Sequence, residues 1–172
     1  MRIVAGQWRG RRIEAPPGEH VRPTRDRVRE AWLSIVHPYL PGARVADLFA
    51  GSGALGIEAL SRGAAFAEFV DTHSKSVAVL KANLELLGAL PQAKIHRTDA
   101  LRFVSTLEEH SFDVVFADPP YATDAAVQLA ERWLVLPYAS ILSVEHASTV
   151  IMPPGGDTRR YGTSHITFYR AG

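Results

Sequence analysis

Residues 45–56 read Val45-Ala46-Asp47-Leu48-Phe49-Ala50-Gly51-Ser52-Gly53-Ala54-Leu55-Gly56, an apolar run that passes through small residues into a stretch with helical spacing. A strand, a tight glycine loop and a helix N-terminus are the parts of a nucleotide site, because glycine lets the backbone approach a ligand closely. Gly51, Gly53 and Gly56 satisfy G-x-G-x-x-G, and Asp71 follows Gly51 by 20 positions, at the end of the next apolar run. A carboxylate there is suited to grip both hydroxyls of a ribose.

From this stretch outward, apolar runs and helical periods alternate. Arg44–Phe49, Ala67–Val70, Lys94–Arg97, Phe112–Ala117, Ile141–Glu145 and His165–Tyr169 read as strands, with Thr149–Met152 a further, weaker candidate. Helices are expected over Ala54–Arg62, from Ser74 to Gly88, over Leu101–Leu107 and over Asp124–Leu134. Repeated β-α units imply a parallel sheet covered by helices on both faces, with ligands at the carboxyl ends of the strands. Ahead of it, Arg2–Ala5 and Arg11–Ala15 suggest a small β-hairpin. Thr24 is placed to cap a helix carrying Val28, Trp32, Ile35 and Val36 on its apolar face and Arg25, Arg27 and Arg29 on its polar face, with Pro38 as its stop. Trp8 either anchors the hairpin or stacks on a ligand. The expected division is therefore a basic extension over residues 1–40 and a catalytic unit over 41–172.

Composition sets limits. With 172 residues, 47% of them hydrophobic and 22% charged, the chain has the proportions of one globular unit. It contains no cysteine, which excludes disulfides, thiolate zinc sites and thiol nucleophiles. No signal pattern opens the chain and no apolar run approaches the roughly 20 residues that a bilayer requires, so a soluble cytoplasmic protein without membrane contact is expected. The seven histidines are scattered without paired helical spacing, so no metal is expected. The net charge of +1 conceals an asymmetry: residues 1–44 hold nine arginines and no lysine against four acids. Guanidinium groups fork onto phosphates and stack on bases, which points this end of the chain at a nucleic acid.

Two further features bear on the ligand. Asp47 stands four residues before Gly51, where a carboxylate would repel a diphosphate but suit a cationic ligand such as S-adenosylmethionine. Glycine spacing alone also fits NAD, so a hydride-transferring enzyme is the alternative from another class. Asp99 follows the third strand, placed either to accept from an adenine amine or to cap the next helix, and the two roles are compatible.

Strand four ends in Asp118-Pro119-Pro120-Tyr121. Successive prolines stiffen the chain and remove two donors, leaving an acceptor platform at the mouth of the sheet. Methylation of an exocyclic amine requires such acceptors. The nitrogen lone pair is delocalised into the ring until Asp118 and the Pro119 carbonyl hold the two N–H groups and aim the lone pair at the methyl donor. Tyr121 offers a face on which an extruded base stacks. The same platform would serve an adenine-N6 methyltransferase acting on DNA. A non-catalytic RNA-binding protein is a third reading.

These motifs together resemble the RsmD-type bacterial methyltransferases. The likeness spans nearly the whole chain and is carried by Trp8-Arg9-Gly10-Arg11, Arg22-Pro23-Thr24, Asp26-Arg27-Val28-Arg29-Glu30, Asp47 to Gly56, Glu58 to Ala64, and Asp118-Pro119-Pro120-Tyr121. The resemblance implies a Rossmann-like class I fold: a mostly parallel seven-stranded sheet with helices on both faces and a last antiparallel strand. It implies transfer of a methyl group from S-adenosylmethionine to N2 of guanine 966 in 16S ribosomal RNA, within a 30S particle, by a monomer. Asp47, Phe49, Ala50, Gly51, Gly53, Asp71, Asp99 and Ala100 would then line the cofactor site. Asp118, Pro119 and Tyr121 would hold the guanine, and Arg9, Arg11, Arg12, Arg22, Thr24 and Arg27 the RNA. Asp71 departs from the family by standing where a longer Glu is usual.

Overall fold

The computed structural model describes residues 1–16 and 23–172, the side chains of 23 and 24 excepted. After the N-terminal segment come α1 (Pro23–Val36), β1 (Arg44–Leu48), α2 (Ala54–Ser61), β2 (Phe66–Val70), α3 (Ser74–Leu86), β3 (Ala93–His96) and α4 (Ala100–Ser105). The chain continues through β4 (Phe112–Ala117), α5 (Ala125–Val135), β5 (Ala139–Ala147), β6 (Asp157–Tyr161) and β7 (Ser164–Arg170). The seven strands form one sheet in the order β3-β2-β1-β4-β5-β7-β6. β1 pairs in parallel with β2 and β4, and β7 runs antiparallel to both β5 and β6.

This order follows from burial. β1 and β4 are central, so both their faces are covered and their buried residues are apolar except Asp47, with Arg44 and Asp113 at the exposed positions. Successive side chains take opposite faces: Val45, Val114 and Phe116 enter the layer shared with α2, α3 and α1, while Ala46, Val115 and Ala117 enter the layer shared with α4 and α5. Strand order reverses between β1 and β4, and a crevice opens there at the carboxyl ends of the strands.

The N-terminal segment packs into the first layer. Ile3, Trp8 and Ile13 are buried with Trp32, Leu33 and Leu60, which makes Trp8 a packing residue. Its polar backbone is taken up by α2. The buried Glu58 accepts from the amides of Val4 (2.8 Å) and Ala5 (3.3 Å), and Ser61 Oγ accepts from the Trp8 amide at 3.0 Å while donating to the Ala5 carbonyl at 2.6 Å. At Gly6, with φ of +86°, a Cβ would lie 1.8 Å from the Ser61 carbonyl oxygen, so only glycine fits.

Four local expectations are corrected. The hairpin arms pair through Ile3 with Arg11, Gly10 with Ile3 and Ile13 with Met1 around the single bridge Arg2 to Arg12, but form no regular strands, because the amides of Val4, Ala5, Gln7 and Trp8 turn to α2. α1 begins at Pro23, whose fixed φ suits a first helical position, so Thr24 lies inside the helix and not at its cap. Arg29 leaves the polar face: its side chain is 15% exposed and paired with Asp26 at 2.9 Å. Thr149–Met152 forms no strand; the extra strand is β6, a polar edge strand. Pro38 sits in a 3-10 turn, His37–Tyr39, that follows α1. Arg22 lies outside the described residues.

Candidate active site

At the crevice, a cavity of about 700 Å³ is walled by the loop after β1, the ends of β2 and β3, the Asp118–Tyr121 turn, the end of β5 and the β6–β7 turn. A smaller one of about 110 Å³ adjoins it, and Arg25, Phe49, Gly51, Asp118 and Glu145 line both.

The glycine loop is shaped by two carboxyls. Asp47, 1% exposed, accepts from the Gly56 amide at 2.9 Å and so fixes the first turn of α2 against β1. Burial pushes its carboxyl well above the usual carboxylate range, only partly countered by that hydrogen bond, and the Asp118 and Asp71 charges push the same way. Asp47 lines the small cavity and not the large one. Asp71 accepts from the Gly51 amide through Oδ2 (2.8 Å) and from the His73 amide through Oδ1 (2.9 Å), so it ties the end of β2 to the loop while lining the large cavity.

Phe49 has φ of +59°, an outlier for a bulky residue, and lies between the cavities. Ala50 lines the small cavity. Gly53, at φ +84°, touches neither: a Cβ there would meet Leu80 Cδ1 at 2.3 Å, so its glycine is required by helix packing. Asp99 caps α4, its Oδ2 accepting from the Arg102 amide at 3.0 Å, and with Ala100 it also lines the large cavity.

Asp118, Pro119 and Tyr121 share one wall of that cavity. The Asp118 amide reaches the Leu48 carbonyl at 3.4 Å, joining the ends of β4 and β1. The side chain is 25% exposed and lies 3.8 Å from the guanidinium of Arg25, on α1. Glu145, from β5, lines both cavities together with it. Tyr121 keeps its ring partly exposed while Oη donates to Glu145 Oε2 (3.1 Å) and bonds Ser164 Oγ (2.6 Å). Burial raises all three groups. Asp118 moves up against the pull of Arg25, the Tyr121 phenol moves up, and Glu145, further opposed by the Asp118 charge, is pushed up to about 7.

Of the arginines expected to meet RNA, Arg9, Arg11, Arg12 and Arg27 are exposed and line neither cavity. Arg11 donates to the Leu86 carbonyl at 3.1 Å, at the end of α3. Two groups that the sequence reading did not single out for the site, Arg25 and Glu145, stand at its centre. A third, Asn83, binds the extension to the loop: Nδ2 donates to the carbonyls of Glu14 (2.9 Å) and Ser52 (3.0 Å), and Oδ1 accepts from the Glu14 amide (2.9 Å).

The family model described as conserved hypothetical protein 95 matches residues 1–170. YlbH of Bacillus subtilis, provisionally named an rRNA methyltransferase, is 37% identical, covering 99% of this chain and 98% of its own. Ribosomal RNA small subunit methyltransferase D of Haemophilus influenzae is 36% identical over 99% of this chain and 92% of its own. Among solved structures, yhhF of Escherichia coli, provisionally described as a methyltransferase, superposes with a TM-score of 0.84 at 32% identity, covering 99% of this chain and 97% of that one.

Proposed function

We propose, on the premise that this chain belongs to the RsmD-type methyltransferase family, that it methylates the exocyclic N2 amine of a guanine in 16S ribosomal RNA, with guanine 966 as the target and S-adenosylmethionine as donor. The observation that carries the reading is the position of Asp118. It stands on the wall of the same cavity that Gly51, Asp71 and Asp99 line, so an amine held by Asp118 faces whatever the glycine loop holds.

The cavity fits that donor by charge. Asp71, Asp99, Asp118 and Glu145 line it against Arg25 and a histidine, a set that favours a cationic ligand over a pyrophosphate. That balance also disfavours NAD. S-adenosylmethionine supplies a methyl group activated by its sulfonium. The protein's own residues do the rest. Asp71 and Asp99 meet the nucleoside end and Ala100 its ring. Asp118 and the Pro119 carbonyl hold the amine, and the Tyr121 ring stacks on an extruded guanine. Arg9, Arg11, Arg12 and Arg27, together with Arg22 and Thr24, hold the phosphate backbone.

A monomer acting on 30S particles in the cytoplasm completes the proposal. The test is to incubate the protein with methyl-labelled donor and 30S particles that lack the modification, then map the label by mass spectrometry. Label at N2 of guanine 966 is expected. Label on adenine or on protein, or a preference for duplex DNA added in competition, overturns the assignment.

A further inference from the structure

The mechanism above uses Asp118 and leaves the buried acid beside it without a role. Glu145 ends an apolar stretch of β5 and is 7% exposed, yet lines both cavities. Its Oε2 accepts from Tyr121 Oη at 3.1 Å, Tyr121 continues to Ser164, and Asp118 stands with it on the wall of both cavities. A carboxyl buried at the end of a core strand costs stability unless it serves its neighbours. Here both neighbours belong to the proposed amine site.

We infer that Glu145 is a positioning residue for methyl transfer: it orients Asp118 and Tyr121 and, paired with Asp118, builds a two-carboxylate acceptor for the proton that the methylated amine must lose. The inference rests on the reading of Asp118 given above. The amine nitrogen gains the methyl carbon, and the electrons of the broken carbon–sulfur bond remain on sulfur, which becomes a neutral thioether. The nitrogen then carries a positive charge and one hydrogen too many. That N–H bond breaks, its electrons return to nitrogen, and the proton passes to Asp118, shared with Glu145. Tyr121 and Ser164, at the cavity rim, hand it on to solvent.

Arg25 stabilises the charged form of Asp118 and so limits how far burial alone can strengthen it as a proton acceptor. Two adjoining carboxylates hold a first proton far more tightly than either alone. The charged and titratable groups facing the pair are Arg25 and Arg29 from α1, Tyr121 from the turn after β4, and Asp47 from β1, which lines the smaller cavity with them. His146 and His165, next along β5 and β7, meet edge to face, and His146 bonds Thr167.

The test compares wild type with Glu145→Gln, Glu145→Asp and Tyr121→Phe in single-turnover methyl transfer to 30S particles from pH 5.5 to 9. The wild-type rate should rise through a pH near 7, the value to which Glu145 is pushed, and then level off. In Glu145→Gln the maximal rate should fall by about 10- to 100-fold, the size of an acid–base contribution, with the KM for RNA within about twofold and the rise near neutrality gone. Glu145→Asp should restore part of both. Tyr121→Phe, which removes a hydrogen bond that favours the Glu145 charge, should move the rise to higher pH.

A second readout needs no substrate. Carbon-13 NMR of glutamate-labelled, ligand-free protein should show one carboxyl titrating near neutrality in wild type and none in Glu145→Gln. A Gln variant with a wild-type rate profile, or a defect confined to KM, overturns the inference, as does a Glu145 carboxyl already ionised at pH 5. Should wild type itself place no label on guanine, the functional reading fails instead.

Discussion

Asn83 and Glu14 pair through both of their amide edges. The Asn83 side chain gives a hydrogen bond to the Glu14 carbonyl and takes one from its N–H, each at 2.9 Å, while a third at 3.0 Å reaches Ser52 in the glycine loop. The basic extension and the loop are thus fastened to the same buried side chain on α3. Asn83→Ala leaves three polar backbone groups without their partner, so it should cost about 2–3 kcal/mol in urea unfolding. Hydrogen exchange at the Glu14 amide should accelerate in the folded protein. Unchanged protection there would show that the pairing does not restrain the extension.

Gly53 is expected to tolerate no side chain. Gly53→Ala adds the cost of a left-handed backbone, about 1–2 kcal/mol, to a contact at 2.3 Å with Leu80 that forces repacking for about 1–3 kcal/mol more. A destabilisation near 3 kcal/mol is expected by denaturant titration, and a double-mutant cycle with the fully buried Leu80→Ala, itself costing about 2–5 kcal/mol, should return the packing share as its coupling term.

Asp118→Asn keeps an acceptor of the same shape and removes the charge. Methyl transfer should fall by about 100- to 1,000-fold, while binding of S-adenosylhomocysteine, measured by calorimetry, should stay within about threefold. A matched loss in both would move Asp118 from the amine to the donor.

The Glu145 carboxyl is pushed from 4.5 to about 7 in the folded chain. Because the folded state holds this proton more tightly than the unfolded state, its contribution to stability is complete below about pH 4.5 and is lost as pH rises towards 7. Glu145→Gln, which has no proton to lose, should therefore melt increasingly above wild type as pH is raised across that window, and by a constant margin beyond it. A difference independent of pH would refute the assignment.

Binding of 16S ribosomal RNA should weaken with salt, and each phosphate-contacting arginine removed should lower the slope of log K against log salt by somewhat under one unit. Arg9→Ala and Arg27→Ala test this at two exposed positions. An unaltered slope in both would place the RNA elsewhere.

The parallel core was legible because its strands are apolar runs of characteristic length, as in Phe112–Ala117. β6 was not: Asp-Thr-Arg-Arg-Tyr carries no apolar alternation, since an edge strand is held by its ladder to β7 and buries almost nothing. Apolar Val150-Ile151-Met152 drew the assignment instead, although Ile151 is 91% exposed, more than the other large apolar side chains on the surface. In the site, Asp118 and the glycine loop declared themselves by motif. Glu145 did not, because an acid at the end of an apolar strand looks like the point where the strand meets water. Only the antiparallel pairing of β5 with β7, and the turn that brings Tyr121 across, enclose it. Arg25 was hidden for the converse reason: one arginine among many on a basic helix, singled out only by where α1 docks.

The close seat of Gly6 on Ser61, with Glu58 gripping the two preceding amides, makes the first sixteen residues a poor candidate for modular exchange. Anyone wishing to retarget this scaffold by grafting a foreign arm would need to transplant the α2 acceptors along with it, or else redesign the reading surface by side-chain replacement on the existing backbone.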